Sequence, residues 1–172
     1  MNRLNEKIVE TLKQHPEGEA FFDALDAMVR GDMDILAAFM AFVKSKIQEP
    51  KYKTLLLTGQ FGIALMDLYG NELKGMFDDV ILVNGGIRSG KEPIIYRDTI
   101  AAPRCIMFDD SFYSGKTRDE IAKKIASIRT EAKILQTYVV YDGSIRKEDN
   151  VFSMFRYHKD PKPITEDNIF EL

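Results

Sequence analysis

The chain has 172 residues, 45% of them hydrophobic and 30% charged, and a formal net charge of -3, which is typical of one soluble globular domain and argues against a dedicated nucleic-acid-binding protein. Its single cysteine, Cys105, excludes an intrachain disulfide and is consistent with a reducing compartment. Because the N-terminus lacks the apolar run of a signal peptide and no apolar run reaches the roughly 20 residues of a membrane span, we expect a cytoplasmic protein with no membrane or nucleic-acid partner.

The first fifty residues predict three helices. Apolar residues recur at helical spacing in three stretches, which are residues 4–12, 21–29 and 35–43. Helix-ending prolines and glycines follow these stretches at Pro16, Gly18, Gly31 and Pro50. None of the three helices carries a motif that indicates chemistry. We therefore interpret residues 1–50 as a helical extension, used as core or as a partner-binding or dimerisation face.

From Lys53 onwards, short apolar runs alternate with helical patterns. The runs predict five buried strands and one short extended piece, at residues 54–57, 79–83, 94–96, 104–108, 134–141 and 151–157. Helices are predicted at residues 63–69 and 116–129. This alternation predicts an α/β fold with a mostly parallel sheet flanked by helices. We expect one domain of residues 1–172, with its core at 53–142 and a C-terminal hood or edge strand at 143–172.

The clearest chemical signal lies in the segment after the third buried strand, FDDSFYSGKT. The adjacent carboxylates of Asp109 and Asp110 can each accept a hydrogen bond from one hydroxyl of a vicinal diol. The loop that follows opens a helix, and backbone N–H groups at a helix start bind anions. Ser114 and Thr117 add hydroxyl donors, while Gly115 lets a phosphate approach the backbone. These features predict a site that holds a ribose by its diol and by its terminal phosphate.

This segment, Phe108 to Thr117, resembles the phosphoribosyl-pyrophosphate motif of the type I phosphoribosyltransferases: an apolar strand, two acids, four mostly small residues, then glycine, any residue and threonine. The resemblance covers roughly residues 53–142 and implies the fold of that family. It implies that Asp109 and Asp110 bind the ribose 2- and 3-hydroxyls. It also implies that the 5-phosphate is held by Tyr113, Ser114, Gly115, Lys116 and Thr117. Three positions depart from the residue types usual in the motif, which are Ser111, Tyr113 and Lys116.

Two other glycine-containing loops lie where this family places parts of its site. The first follows the earliest strand and corresponds to the family's pyrophosphate loop, Thr58, Gly59, Gln60, Phe61 and Gly62. Family members often carry a basic residue in this loop, and Gln60 is neutral. The second loop, residues 84–92, falls where the family has a mobile loop that closes over the active site, and there Arg88 and Lys91 are expected to reach the pyrophosphate. The alternatives are an ordinary strand–helix turn and a surface hairpin.

For an enzyme, the resemblance implies transfer of a 5-phosphoribosyl group from phosphoribosyl pyrophosphate to a nitrogen nucleophile, for which we expect a nucleobase, with release of pyrophosphate. The catalytic candidates are Asp109, Asp110, Arg88 and Lys91. Mg²⁺ is the expected cofactor, bridging the diphosphate and the ribose hydroxyls without direct protein ligands. The base-binding candidates are Tyr141, Asp142 and Tyr157. An acidic residue at position 142 suits an amino or ring N–H group better than a 6-oxo group. Homo-oligomerisation is compatible with the sequence and is not decided by it.

The sequence also offers two other classes of function and one purely structural interpretation. Gly85 to Lys91 nearly fits a nucleotide-binding P-loop, but Glu92 stands where that motif needs a hydroxyl and Pro93 where it needs a helix. A kinase or ATPase is therefore disfavoured. The main alternative is a non-catalytic regulator, or a nucleotide-binding protein, that has the same fold and retains Asp109 and Asp110 without turnover. The neutral Gln60 favours that alternative. A solvated helix cap at the two acids is the third interpretation.

Overall fold

The structure of the protein is a computed structural model, and it describes residues 3–14, 18–86 and 91–156. Three helices come first, as the apolar spacing predicts: α1 (Arg3–Gln14), α2 (Gly18–Gly31) and α3 (Met33–Lys46). α3 begins where its cap predicts, because the Asp32 carboxylate accepts hydrogen bonds from the backbone N–H groups of Asp34 and Ile35 at 2.9 and 3.2 Å. No helix in these ranges is both long and apolar enough to cross a membrane.

A sheet with two further helices follows. The elements are β1 (Thr54–Thr58), α4 (Gly59–Met76), β2 (Asp79–Gly86), β3 (Lys91–Ile94), β4 (Arg104–Phe112), α5 (Lys116–Ile128), β5 (Lys133–Asp142) and β6 (Val151–Arg156). The strand order is β3-β2-β1-β4-β5-β6. Neighbouring strands are parallel except for the antiparallel β2–β3 pair. The predicted fold class, a mostly parallel α/β sheet with flanking helices, is confirmed.

The sheet is covered on both faces, and alternate residues of each strand point to opposite layers. Leu55 and Leu57 of β1 share a core cluster with α1 to α4, whereas Leu56 belongs to a second cluster with α5. Phe39 of α3 meets Phe108 of β4 edge to face, with ring centroids 5.3 Å apart. The N-terminal helices therefore pack into the main core, and their apolar faces are used for that purpose.

Three boundaries near the carboxyl edge of the sheet, one of a helix and two of strands, differ from the prediction. The segment 58–62 is not a separate turn, because α4 begins at Gly59 directly after β1 and Gly59 takes the positive φ of 57° that this junction requires. β4 continues to Phe112 because residues 109, 111 and 112 still pair with β5. β2 likewise extends through Asn84 to Gly86, into the predicted loop. Polar and glycine residues hide these strand ends from an apolar pattern, although the backbone pairing continues.

Candidate functional site

A cavity of about 750 Å³ opens at the carboxyl ends of β1, β2 and β4. Its walls come from α2, the junction of β1 with α4, the end of β2, and the segment from β4 into α5. Parallel sheets usually bind their ligands at this edge, and the volume is that of a small-molecule site. The structure therefore places one candidate site where the topology predicts it.

The cavity brings together the two motifs that the sequence analysis treated separately. The predicted residues on its surface are Thr58, Gly59, Gln60, Phe61, Asp109, Asp110, Tyr113, Ser114, Gly115, Lys116 and Thr117. Gly62 does not line the cavity, because it is buried against β1. A Cβ there would lie 2.6 Å from the backbone carbonyl carbon of Leu57. Arg88, Tyr157 and the side chain of Lys91 lie outside the described part of the chain.

The two acids occupy consecutive positions of β4. The backbone N–H of Asp110 donates to Asp109 Oδ1 at 2.9 Å, and the Ser111 hydroxyl donates to Asp110 Oδ1 at 3.1 Å. The second carboxylate oxygen, Asp110 Oδ2, accepts from Nε of Arg30 at 3.3 Å. Carboxylate oxygens held in this way are fixed acceptors for donor groups that enter the cavity.

Asp109 is electrostatically strained in the ligand-free site. Burial, followed by the neighbouring negative charge of Asp110, raises the pKa of the Asp109 carboxyl well above its usual range. The backbone N–H of Asp110 acts in the opposite direction. A cation or a hydroxyl donor brought into the cavity would therefore be favoured beside this pair.

The raised pKa predicts that Asp109→Asn makes the ligand-free protein more stable at neutral pH. Because the folded state keeps a proton that the unfolded state releases above about pH 4, wild-type stability falls as the pH rises through the folded pKa. Asparagine cannot ionise, so the variant escapes this loss. Thermal unfolding between about pH 3.5 and 8 should show Tm values that coincide in acid and then diverge in favour of the variant. A variant less stable than wild type at pH 8 would contradict the assigned direction.

The start of α5 is open to an anion. Its N-cap is Gly115, which has a φ of 75° and offers no side chain to accept hydrogen bonds from the first-turn N–H groups. Lys116 and Thr117 begin the helix at the cavity wall. Arg118 also lines the cavity, but its guanidinium is 2.5 Å from Glu148 and lies over the Phe112 ring. The helix start therefore offers backbone donors, a hydroxyl and one lysine to a phosphate.

Tyr113, the bulky departure from the resembled motif, has a defined place in the loop. Its ring packs on Gly143, where a Cβ would lie 2.4 Å from a ring carbon. Its hydroxyl is hydrogen-bonded to that of Tyr141, which donates to Asp26 Oδ1 at 2.5 Å. The loop before α5 is thereby linked to α2 through Tyr113, which is 37% exposed, and the buried Tyr141.

Gly143→Ala is expected to displace the Tyr113 ring without unfolding the protein, because the ring is part of a side chain that can turn away. We expect weaker binding of ribose 5-phosphate, by roughly 3- to 10-fold, since the displaced ring breaks the hydroxyl link and loosens the loop, a loss comparable to one net hydrogen bond. Calorimetric titration would measure this. Gly31→Ala, where a Cβ meets nothing within 4 Å, is the control. Unchanged binding in the Gly143 variant would show that the ring position does not matter.

Two of the three predicted base contacts, Tyr141 and Asp142, are buried and do not line the cavity. Tyr141 is 0% exposed and its ring stacks on Phe155 with centroids 5.7 Å apart. Burial, with a further effect of Tyr113, raises the pKa of the Tyr141 phenol, so its hydroxyl stays protonated as a donor. Asp142 is 2% exposed; its carboxylate accepts from the Ser144 backbone N–H at 2.8 Å and lies 3.4 Å from Arg156. These two residues support the edge of the sheet.

The contribution of α2 to the cavity is not predicted by the sequence. Asp23, Asp26 and Arg30 follow an i, i+3, i+7 spacing on one helix face and all line the cavity. Asp26 is 4% exposed. In the sequence this spacing resembles an ordinary solvated helix face, and only the buried position of an acidic residue distinguishes it. Asn84, at the end of β2, was also missed as a lining residue.

The expected Mg²⁺ would be held chiefly by the substrate, without direct protein ligands. Among the described residues, no group of three or more His, Cys, Asp or Glu could hold a metal ion. Asp109 and Asp110 do present carboxylate oxygens, the ligand type that Mg²⁺ prefers, at the cavity. Mg²⁺ commonly takes its remaining ligands from substrate phosphates and water. The site therefore fits a magnesium ion that arrives with a phosphate-bearing ligand.

Solved phosphoribosyltransferases are similar to this chain. An adenine phosphoribosyltransferase from Thermoanaerobacter pseudethanolicus has a TM-score of 0.50 and 12% identity, over 75% of this chain and 84% of that chain. A purine phosphoribosyltransferase from Pyrococcus horikoshii has a TM-score of 0.48 and 13% identity, over 75% of this chain and 87% of that chain. A xanthine-guanine-hypoxanthine phosphoribosyltransferase from Helicobacter pylori has a TM-score of 0.47 and 11% identity, over 73% of this chain and 87% of that chain. No family model and no curated protein sequence matches. With the observed sheet, the first likeness shows that the chain has the type I phosphoribosyltransferase fold.

Proposed function

We propose that the protein transfers the 5-phosphoribosyl group of phosphoribosyl pyrophosphate to a nitrogen nucleophile, for which we expect a nucleobase, and releases pyrophosphate. One observation carries the proposal. The adjacent carboxylates of β4 and the uncapped start of α5 face a single cavity at the carboxyl edge of the sheet. A ribose 5-phosphate presents a diol and a phosphate, which are the two groups that these features suit. The fold is consistent with this chemistry.

In the proposed complex, Asp109 and Asp110 accept hydrogen bonds from the ribose hydroxyls. The 5-phosphate lies at the start of α5, where Lys116 and the hydroxyls of Ser114 and Thr117 add to the backbone donors. Two fixed attachments orient the sugar, so that its anomeric carbon faces the rest of the cavity. The diphosphate then lies toward the first turn of α4, whose backbone N–H groups form a second helix start on the same cavity.

The transfer breaks the bond between the anomeric carbon and the pyrophosphate oxygen, and the electron pair leaves with pyrophosphate. The acceptor nitrogen forms the new bond with its lone pair and releases its proton to water. The negative charge that grows on the leaving group would be stabilised by the N–H groups of residues 59–61 and by the predicted contacts Arg88 and Lys91. Mg²⁺, when bound, would neutralise charge on the diphosphate. Asp23, exposed on α2, can accept a hydrogen bond from an acceptor N–H group.

A second candidate function is a regulator that binds phosphoribosyl pyrophosphate without turnover. The observation that favours it is the neutral first turn of α4, where Gln60 is the polar side chain on the cavity. A weakly stabilised leaving group would allow binding but slow the departure of pyrophosphate. Both candidates share the ribose and phosphate contacts, so they differ in turnover alone.

Calorimetric titration with phosphoribosyl pyrophosphate, with and without Mg²⁺, tests the proposal. The same protein is then assayed for pyrophosphate release with a panel of nucleobases. Magnesium-dependent binding and release with one base are expected for the transferase. Binding without release for any base would favour the regulator. No binding would contradict both and leave the acids of β4 as structural residues.

A further inference from the structure

A guanidinium from the N-terminal helices lies on the acid pair. Nε of Arg30, near the end of α2, is 3.3 Å from Asp110 Oδ2. Its side chain is 42% exposed, and that of Asp110 is 17% exposed. Among the described residues, the terminal Nη atoms of Arg30 have no hydrogen-bond or ion-pair partner. Most donors of this guanidinium are therefore available to a ligand in the cavity that Arg30 lines.

The position of Arg30 is set by the packing of the α2 residues that precede it. Leu25 and Val29, on the same helix, are fully buried in the core. Asp26 is tied to Tyr141 of β5 by the hydrogen bond described above. These contacts hold α2 against the sheet, so that the Arg30 backbone is fixed while its long side chain can move at the cavity edge.

The other cations of the cavity belong to its phosphate end. Among the described lining residues the positive side chains are Arg30, Lys116 and Arg118. Lys116 is at the start of α5, and Arg118 is paired with Glu148. The first turn of α4 contributes the neutral Gln60. A diphosphate could lie between the acid pair and α4. Among the described lining residues, Arg30 is then the positive side chain available to bind it.

We infer that Arg30 binds the diphosphate of phosphoribosyl pyrophosphate, an inference that rests on the proposed function. In the ligand-free protein Arg30 is paired with Asp110. When the substrate binds, the guanidinium moves to the diphosphate oxygens, and Asp110 is left to accept from a ribose hydroxyl. A single-contact, half-exposed ion pair contributes little stability, so this exchange is easy. The planar guanidinium suits phosphate oxygens better than a carboxylate it meets through one nitrogen.

This inference gives α2 a role that the resembled motif does not supply. The charge that is missing at Gln60 would come from a helix distant in sequence, 80 residues before Asp110. It also explains the ion pair, because Arg30 partly neutralises the negative charge of Asp110 until the substrate binds. The ligand class is a diphosphate ester, recognised by charge and by the guanidinium fork.

The test compares Arg30→Gln with wild type by calorimetry, using phosphoribosyl pyrophosphate, inorganic pyrophosphate and ribose 5-phosphate as probes. Loss of one charge-assisted contact should weaken the first two by roughly 10- to 100-fold. Ribose 5-phosphate lacks the diphosphate, so its affinity should stay within about twofold or increase as Asp110 is freed. Arg97→Gln is the matched control, because Arg97 is 40% exposed and pairs with Asp79 at 2.6 Å at the other end of the strands.

The sign and the selectivity of the change decide the outcome. Unchanged or tighter binding of phosphoribosyl pyrophosphate in Arg30→Gln would overturn the inference, since Arg30 would then be neutral or a competitor of the substrate. An equal loss for ribose 5-phosphate would also overturn it, by showing that Arg30 acts through Asp110 or the fold. Wild-type protein that binds none of the probes would contradict the proposed function itself, and the inference with it. Arg30→Met, which keeps the aliphatic stem, supplies a second neutral variant should the first fail to fold.

Discussion

Replacing both Asp109 and Asp110 by asparagine is expected to weaken the binding of phosphoribosyl pyrophosphate strongly, to abolish turnover and to leave the fold intact. Each carboxylate is proposed to accept a charge-assisted hydrogen bond from the ribose, and each such bond contributes about 1.5–3 kcal/mol. Losing both should weaken binding by roughly 10²- to 10⁴-fold, with a parallel loss of any turnover. Asparagine keeps the shape of the side chain, and it cannot carry the buried negative charge that is unfavourable at Asp109 in the ligand-free site.

The measurement is calorimetry on the double variant, together with its thermal unfolding. A suitable control is Asp78→Asn with Asp98→Asn, which removes the same charge at two exposed positions outside the cavity. That control should bind like wild type, because screened surface charges contribute little at this distance. Normal binding by the Asp109 and Asp110 variant would sink the assignment of the ribose site. A lower Tm would indicate that the acid pair has a structural role.

Gly62→Ala is expected to be the most destabilising single substitution among the glycines of the first turns of α4. A Cβ at this position would lie 2.6 Å from the carbonyl carbon of Leu57. Because the contact joins the backbone of α4 to the backbone of β1, neither partner can turn away as a side chain can. Overpacking of this kind costs about 1–3 kcal/mol, which in a chain of this length lowers Tm by roughly 3–10 °C. Since the contact sets the distance between β1 and α4, the N–H groups of residues 59–61 should also move, and diphosphate binding should weaken.

Gly75→Ala provides the matched control in the same helix. A Cβ there meets nothing within 4 Å, so the substitution should stabilise α4 by about 0.5–1 kcal/mol through the higher helix propensity of alanine. Thermal unfolding of the two variants should therefore give Tm shifts of opposite sign. A Gly62 variant as stable as wild type would show that α4 can slide on β1, and the close approach would then have no bearing on the site.

The carboxyl edge of the sheet explains why boundary predictions were wrong where function is expected. An apolar run predicts a strand only as far as its side chains are buried, and the run in β4 stops at Phe108. The strand itself continues to Phe112, since β5 still pairs with it beyond that point. A polar site at the end of a strand thus shortens the apparent strand. Gly59 and Gly62 likewise favour a turn in the sequence, whereas α4 begins at Gly59.

The phosphate segment and the fold class could be predicted because both depend on local information. Alternating apolar runs and helical spacing indicate a parallel α/β sheet, and FDDSFYSGKT carries its acids, glycine and hydroxyls within ten consecutive residues. Such patterns are set by backbone geometry over a few residues. They place Asp109, Asp110 and Gly115 at the carboxyl edge of a sheet without knowledge of any distant contact.

The wall opposite that segment depends on packing between distant parts of the chain. Arg30 and Asp110 are 80 residues apart, and Asp26 and Tyr141 are 115 apart, yet both pairs are in contact. Nothing local distinguishes Arg30 from a solvated arginine or Tyr141 from an aromatic residue that faces a ligand. In the structure Tyr141 is buried and Arg30 lines the cavity. The surroundings of each side chain depend on which helix packs on which strand, and that packing depends on the whole core.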